Sequence, residues 1–137
     1  MQDILRATQK KVGIFQFSGF LCTSCKKVSQ GLEQKLPSIA SSKDILYVIV
    51  ITDFRADFSD FDTRASQVLA EFPHAQLAHD EEVLVWKFLR SKPSERPLFV
   101  INQNLKSQII RHELEEKINE DTQNTIAAAE TLAASSN

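Results

Sequence analysis

The fold of this chain is decided by the stretch Phe15-Gln16-Phe17-Ser18-Gly19-Phe20-Leu21-Cys22-Thr23-Ser24-Cys25-Lys26-Lys27. Its first part continues a β-branched and aromatic run from Val12, which is typical of a strand. After the second cysteine, apolar residues recur at the spacing of one helix face: Val28, Leu32 and Leu36. The two cysteines therefore lie where a predicted strand ends and a predicted helix begins.

The chain of 137 residues contains only these two cysteines. A bridge between them would close a loop too short to stabilise the fold much, so their role should be chemical. A cysteine at the start of a helix faces unpaired N–H groups and the positive end of the helix dipole, which favour the thiolate. We expect Cys22, at the exposed tip, to be the nucleophile and Cys25, one turn further in, to resolve a mixed disulfide.

Composition and charge exclude several classes of protein. Apolar residues make up 42% of the chain and charged residues 25%, which is ordinary for a globular domain. The net charge of −2 and the pI near 5.9 show no basic footprint, so no nucleic-acid partner is expected. We predict a single domain over 1–137, with a core at about 10–120 and a C-terminal tail at about 121–137, helical and then frayed.

Strands and helices alternate along the chain, which predicts an α/β protein with a central mixed sheet flanked by helices on both faces. The predicted strands span 12–17, 44–52, 75–79, 97–101 and 106–111. The predicted helices span 2–10, the residues after Cys25 up to Pro37, about 60–72, 81–90 and the segment from 113. The strand at 44–52 is continuously apolar and should be central, and a turn at 103–104 should join the last two strands into an antiparallel hairpin.

The cysteine stretch resembles the active-site strand, loop and helix of thioredoxin-fold proteins. Downstream, Arg96-Pro97-Leu98-Phe99-Val100-Ile101-Asn102 looks like the cis-proline strand of that family. The resemblance covers residues 10 to about 112. It implies that Pro97 is a cis-proline against the cysteine pair, that Arg96 contacts substrate, and that the backbone before Pro97 pairs with a substrate chain. Phe20 and Leu21, which lead into the pair, are the other expected substrate-binding residues.

The interval between Cys25 and Pro97 has room for an extra strand and helix, supplied by 75–90. This is similar to the TlpA and ResA branch of the thioredoxin fold, to which peroxiredoxins are related. The resemblance implies a thiol–disulfide oxidoreductase that reduces or exchanges disulfides in partner proteins. It also implies no cofactor, a monomer and an unidentified redox partner.

Two alternatives stay open. Leu21 stands where the family usually has tryptophan, and Val28 where ResA-like members have an acidic residue. These departures suit a non-catalytic thioredoxin-like binding or assembly domain. In the second alternative, the two thiolates hold a metal. His74 and His79 are interpreted as ordinary loop or strand residues, so neither is assigned as a metal ligand.

The longest apolar run, Ile45 to Ile51, is far shorter than the roughly 20 residues that span a bilayer, and no membrane contact by this chain is expected. The first eleven residues lack the apolar core of a signal peptide. The expected location is therefore extracytoplasmic if a signal or anchor was removed, and cytoplasmic otherwise.

Two further residues are interpreted as structural: Trp86 as a helix-core residue and His112 as a solvated residue at a strand end.

Overall fold

The computed structural model describes residues 2–92, 94–113 and 115–134. The strands are β1 Val12–Ser18, β2 Ile45–Ile51, β3 Gln76–His79, β4 Leu98–Asn102 and β5 Ser107–Ile110. The helices are α1 Gln2–Thr8, α2 Thr23–Lys35, α3 Phe61–Glu71, α4 Leu84–Leu89 and α5 Ile118–Ala134. None of the helices in the described ranges is both long and apolar enough to cross a membrane.

The five strands form one mixed sheet in the order β3-β2-β1-β4-β5. β1 pairs in parallel with β2, and β2 with β3, whereas β4 runs antiparallel to both β1 and β5. Every residue of β1 and of β2 is buried, as the continuous apolar pattern predicted for the second of these strands. The mixed sheet is therefore confirmed, and the cysteines follow the end of one of its central strands.

Alternating side chains of the strands point to opposite faces, and helices cover both faces. Helices α2, α3 and α5 cover the first face through the buried residues Val28, Leu32, Phe61, Ile126 and Ala129. Helices α1 and α4 cover the other face through Leu5 and Leu89. The connections β1-α2-β2 and β2-α3-β3 advance in the same direction across the sheet, and right-handed crossovers place both their helices on one side.

The core continues beyond its predicted end at about residue 120. Ile126, Ala129 and Ala133 of α5 are buried against the sheet and α2. Gly31 allows this close contact, because a Cβ there would lie 3.0 Å from Cγ2 of Thr122. The segment predicted as a tail is thus a core helix up to Ala134, and the fraying predicted for 135–137 lies outside the described residues.

Helix α4 begins later than the predicted 81–90. Val83 adopts a left-handed conformation with φ of 52°, and its N–H donates to the carbonyl of Asp80 at 2.9 Å. The carboxylate of Asp80 then accepts the N–H of Trp86 at 2.9 Å. The left-handed backbone of Val83 cannot continue a right-handed helix, and the Asp80 carboxylate satisfies the N–H of Trp86 in the first turn. The helix is therefore limited to Leu84–Leu89.

Candidate active site

A disulfide joins Cys22 and Cys25 at the start of α2. Cys22 is the N-cap residue, and its Sγ accepts a hydrogen bond from the backbone N–H of Cys25 at 3.3 Å. Cys22 is half-buried, whereas Cys25 is 1% exposed. In the reduced protein the same N–H and the helix dipole would favour a thiolate on Cys22. The pair lies between a strand and a helix as predicted, and the roles of its two members stay predictions.

Lys26 contributes less positive charge to this site than its position in the sequence suggests. Its Nζ lies 3.4 Å from Oε1 of Glu71 on α3. Both side chains are substantially exposed, so the pair is screened by solvent and the carboxylate offsets the charge near Cys22. Lys26 therefore adds little to the effect of the helix terminus on the thiolate.

A buried polar network fixes the first turn of α2 to the sheet. The side chain of Gln16, on β1, donates from Nε2 to the carbonyl of Cys25 at 2.9 Å. Its Oε1 accepts the hydroxyl of Ser29 at 2.8 Å and also the hydroxyl of Tyr47 on β2. Sequence reasoning missed this network, although a lone glutamine inside an apolar strand was a signal that could have indicated it.

The hydroxyl of Tyr47 is held in its neutral form. Burial, the largest cause, raises the pKa of Tyr47 well above its ordinary value, and the negative charge of Glu33 acts in the same direction. The hydrogen bond with Ser29 opposes this shift and is outweighed by burial. The neutral phenol remains the donor to Gln16 throughout the physiological range.

Titration of Tyr47 gives a direct test of the network. Tyr47 is the only tyrosine of the chain, so phenolate absorbance reports this residue alone. We expect no phenolate at about pH 10, where an unfolded tyrosine is half ionised. Because the unfolded chain loses this proton first, the stability falls as pH rises above about 10. Tyr47→Phe should remove that part of the decrease, and half-titration of folded protein at about pH 10 would contradict the network.

A groove of about 280 Å³ lies on one side of Cys22. It is lined by Gly19, Leu21, Cys22, Ser24, Asp53, Ser94, Arg96, His112 and Glu113. The structure thus brings together three of the predicted site residues: Leu21, Cys22 and Arg96. Phe20 and Pro97 are not among the residues that line this groove.

Phe20 lines a second cleft of about 150 Å³, which contacts Cys22 from the side of α3. Its ring packs edge-to-face on Phe58 and Phe61, with centroids at 5.3 and 5.1 Å. Its backbone N–H donates to Oδ2 of Asp53 at 2.7 Å. These contacts hold the loop before Cys22 in place, so the structure gives Phe20 a positioning role beside the predicted substrate contact.

The prediction of a cis bond before Pro97 is wrong for this structure. No cis peptide bond occurs among the described residues, so the Arg96–Pro97 bond is trans. The trans form is the favoured state of most X-Pro bonds, and the cis assignment rested on the family resemblance alone. The carbonyl of Pro97 accepts the N–H of Phe17 at 3.1 Å and continues the ladder between β1 and β4.

The backbone before Pro97 is also engaged within the chain. The N–H of Arg96 donates to the carbonyl of His112 at 2.9 Å. This donor can therefore pair with a substrate main chain only if the internal hydrogen bond breaks, and the expected backbone pairing before Pro97 stays a prediction.

The side chain of Arg96 stacks on Trp86. Its Cζ lies 4.1 Å from the ring centroid, and the indole N–H donates to the carbonyl of Glu95 at 2.8 Å. Burial lowers the pKa of Arg96, Asp53 opposes that shift and Arg90 adds to it, but an arginine keeps its charge in proteins. Trp86 is half-buried against the core, and it also orients a cation of the groove.

The expectation that His112 is a solvated strand-end residue is wrong. His112 is 2% exposed, and its Nδ1 lies 2.6 Å from Oδ2 of the buried Asp121 on α5. The two residues meet because α5 folds back over the sheet beside β5. Nine positions separate them in the sequence, and no local periodicity predicts the contact.

The segment that carries Arg96 is also anchored by Glu95. This carboxylate is 2% exposed, and its Oε1 lies 2.6 Å from a guanidinium nitrogen of Arg111. The other oxygen accepts the hydroxyl of Ser91. This charge-assisted pair, in which the carboxylate is buried and the guanidinium is half-exposed, fixes the geometry of the segment beside the groove.

The described part of the chain contains no group of three or more histidine, cysteine, aspartate or glutamate side chains that could hold a metal ion.

No family model and no curated protein sequence matches this chain. Solved structures do match it. A "putative thiol:disulfide interchange protein DsbE" from Chlorobium tepidum has a TM-score of 0.62 at 21% identity, and the match covers 91% of this chain and 84% of the other. A secreted thiol-disulfide isomerase from Corynebacterium glutamicum has a TM-score of 0.66 at 13% identity, covering 94% of this chain and 75% of its own.

A secreted disulfide oxidoreductase from Mycobacterium tuberculosis, homologous to E. coli DsbE, has a TM-score of 0.58 at 10% identity. This match covers 86% of the present chain and 85% of the other. At such identities the likeness concerns the backbone and its topology. The chain described here therefore has a thioredoxin-like fold, as the cysteine stretch and the strand order indicated.

Proposed function

We propose that this chain is a thiol–disulfide oxidoreductase that reduces or exchanges disulfides in partner proteins through Cys22 and Cys25. The observation that carries the proposal is the disulfide at the N-cap of α2, which joins a half-buried cysteine to a buried one. The similar structures support it, because they are named as a disulfide oxidoreductase, a thiol:disulfide interchange protein and a thiol-disulfide isomerase.

In the reducing direction, the Cys22 thiolate attacks one sulfur of a partner disulfide. A bond forms between Cys22 and that sulfur, and the partner's other sulfur leaves as a thiolate. Cys25 then loses its proton and attacks Cys22, which restores the Cys22–Cys25 disulfide and releases the second partner thiolate. Two electrons pass from the protein to the partner, and the oxidising direction reverses these steps.

We propose that the partner segment lies in the groove beside Cys22, where Leu21 and Arg96 contact it. Leu21 is 76% exposed, and Phe54, in the loop that follows β2, is 48% exposed. These side chains offer apolar contact to a protein segment, while Arg96 offers a positive charge. The same exposed apolar residues favour the second candidate, a thioredoxin-like binding or assembly domain without turnover.

We further propose an extracytoplasmic location. Two of the similar structures are described as secreted proteins. Disulfide-forming chemistry persists in oxidising compartments and is rare in the cytosol. Detection of the oxidised pair in an extracytoplasmic fraction, after acid quenching and thiol alkylation of cells, would support this location, and a fully reduced cytosolic pool would contradict it.

The activity is tested with the full chain in an insulin-reduction assay coupled to a chemical reductant. We expect catalytic turnover of insulin disulfides, and alkylation of the reduced protein should modify Cys22 faster than Cys25 at neutral pH. A reduced protein that never cycles, with a Cys22 thiol of ordinary reactivity, would reject the enzyme. If a Cys22→Ser variant then kept full function in cells, the binding domain would be the better description.

A further inference from the structure

His112 uses only one of its two ring nitrogens in a hydrogen bond to the residues that the structure describes. Nδ1 is bound to the carboxylate of Asp121, whereas the buried Nε2 has no hydrogen-bond partner among the residues that the structure describes. A buried polar atom without a partner is costly, and its presence in a native fold calls for an explanation. His112 also lines the groove that contains Cys22.

The contact with Asp121 determines what the free nitrogen can do. A carboxylate only accepts hydrogen bonds, so Nδ1 carries the hydrogen and, in the neutral ring, Nε2 presents a lone pair. A nucleophile, a base and a third group that orients the base form the arrangement that activates nucleophiles in many enzymes. Here the nucleophile is a thiol in the groove, the base is His112 and the orienting group is Asp121.

We propose that His112, oriented by Asp121, is the proton acceptor and donor for partner thiols that enter the groove beside Cys22. The inference rests on the proposed oxidoreductase function and adds a residue to it. It also explains why a histidine is buried at this site when the two cysteines alone could carry the exchange of disulfides.

The proton balance follows the direction of exchange. When a partner thiol reduces the protein, neutral His112 takes the thiol proton on Nε2, and the resulting thiolate attacks Cys22. The Cys22–Cys25 bond breaks, a bond forms between Cys22 and the partner sulfur, and Cys25 leaves as a thiolate. When the protein reduces a partner disulfide, protonated His112 returns its proton to the departing partner thiolate.

Other charged groups face the same groove and set the electrostatic field around His112. Asp53 comes from the loop after β2, Arg96 from the segment before β4, and Glu113 from the segment after β5. Asp121 approaches from α5. A substitution of His112 alone leaves all of these groups in place, so the comparison with the parent chain isolates the imidazole.

The test is the rate at which a simple monothiol, 2-mercaptoethanol, reduces the oxidised full chain between about pH 6 and pH 10. We expect His112→Gln to lower this rate about tenfold near neutral pH, which is less than the rate enhancement that general bases typically give. At pH values above the thiol's own pKa the two rates should converge, because a thiolate needs no base. Asp121→Asn should show the same convergence with a smaller loss.

The matched control is His74→Gln, because His74 is an exposed histidine that pairs with Glu33 away from the groove. Its rates should stay within about twofold of the parent at every pH. A His112→Gln rate equal to the parent throughout, or lower by the same factor at every pH, would overturn the proposal. If His112→Gln does not fold, the same comparison with Asp121→Asn decides. A parent chain that is reduced no faster than the disulfide of a short unstructured peptide with the same two-residue spacing would instead reject the proposed function.

Discussion

Replacing Cys22 with serine is expected to abolish insulin reduction, with a loss of about a thousandfold or more, because a serine hydroxyl cannot attack a disulfide under these conditions. Replacing Cys25 with serine should also stop turnover, but at a later step. The Cys22 thiolate still attacks the partner, and without Cys25 the mixed disulfide is not resolved. The adduct should be visible as a covalent complex on non-reducing gels and by intact-mass measurement.

The two variants are controls for each other, since each removes one sulfur from the same turn. Neither should lower the stability much, because the disulfide closes a very short loop. If Cys22→Ser formed the covalent complex and Cys25→Ser did not, the assignment of nucleophile and resolving cysteine would be reversed. That result would be hard to reconcile with the near-complete burial of Cys25.

Replacing Arg111 with methionine is expected to destabilise the fold by about 3 kcal/mol, at the lower end for a broken buried ion pair. The reason is that Glu95 stays buried without the guanidinium 2.6 Å away, and Ser91 remains as its hydrogen-bond donor. The carbonyl of Leu89 also loses the 3.1 Å hydrogen bond from Arg111. Arg111 itself is half-exposed, which argues against a larger loss. Urea unfolding followed by circular dichroism measures the effect.

A second substitution separates lost charge pairing from lost packing. In the Arg111→Met background, Glu95→Gln should recover part of the stability, because a neutral amide is less costly to bury than a carboxylate. Lys92→Met, which breaks the exposed pair with Glu113, serves as the surface control and should leave the unfolding midpoint nearly unchanged. Equal destabilisation by Lys92→Met and Arg111→Met would show that burial of Glu95 does not matter.

The strands and most helices could be predicted because the burial of each element is reflected in a contiguous pattern of apolar and polar side chains. The apolar run of β2 and the four-residue spacing in α2 are the clearest cases. Prediction was weaker where distant contacts decide an element's length. The turn held by Asp80 shortens α4, and contact with α2 makes α5 part of the core.

The site divides in the same way. The sequence by itself determined the cysteine pair and its place at a helix start, because the chemistry of a helix terminus arises within a few consecutive residues. Only the tertiary structure decided the groove, since its lining comes from loops and strand ends far apart in the chain. It also decided that Gln16 lies beneath Cys25, that Asp121 orients His112, and that the bond before Pro97 is trans. Such long-range contacts depend on how the helices and strands pack together, and a local pattern of residues does not predict them.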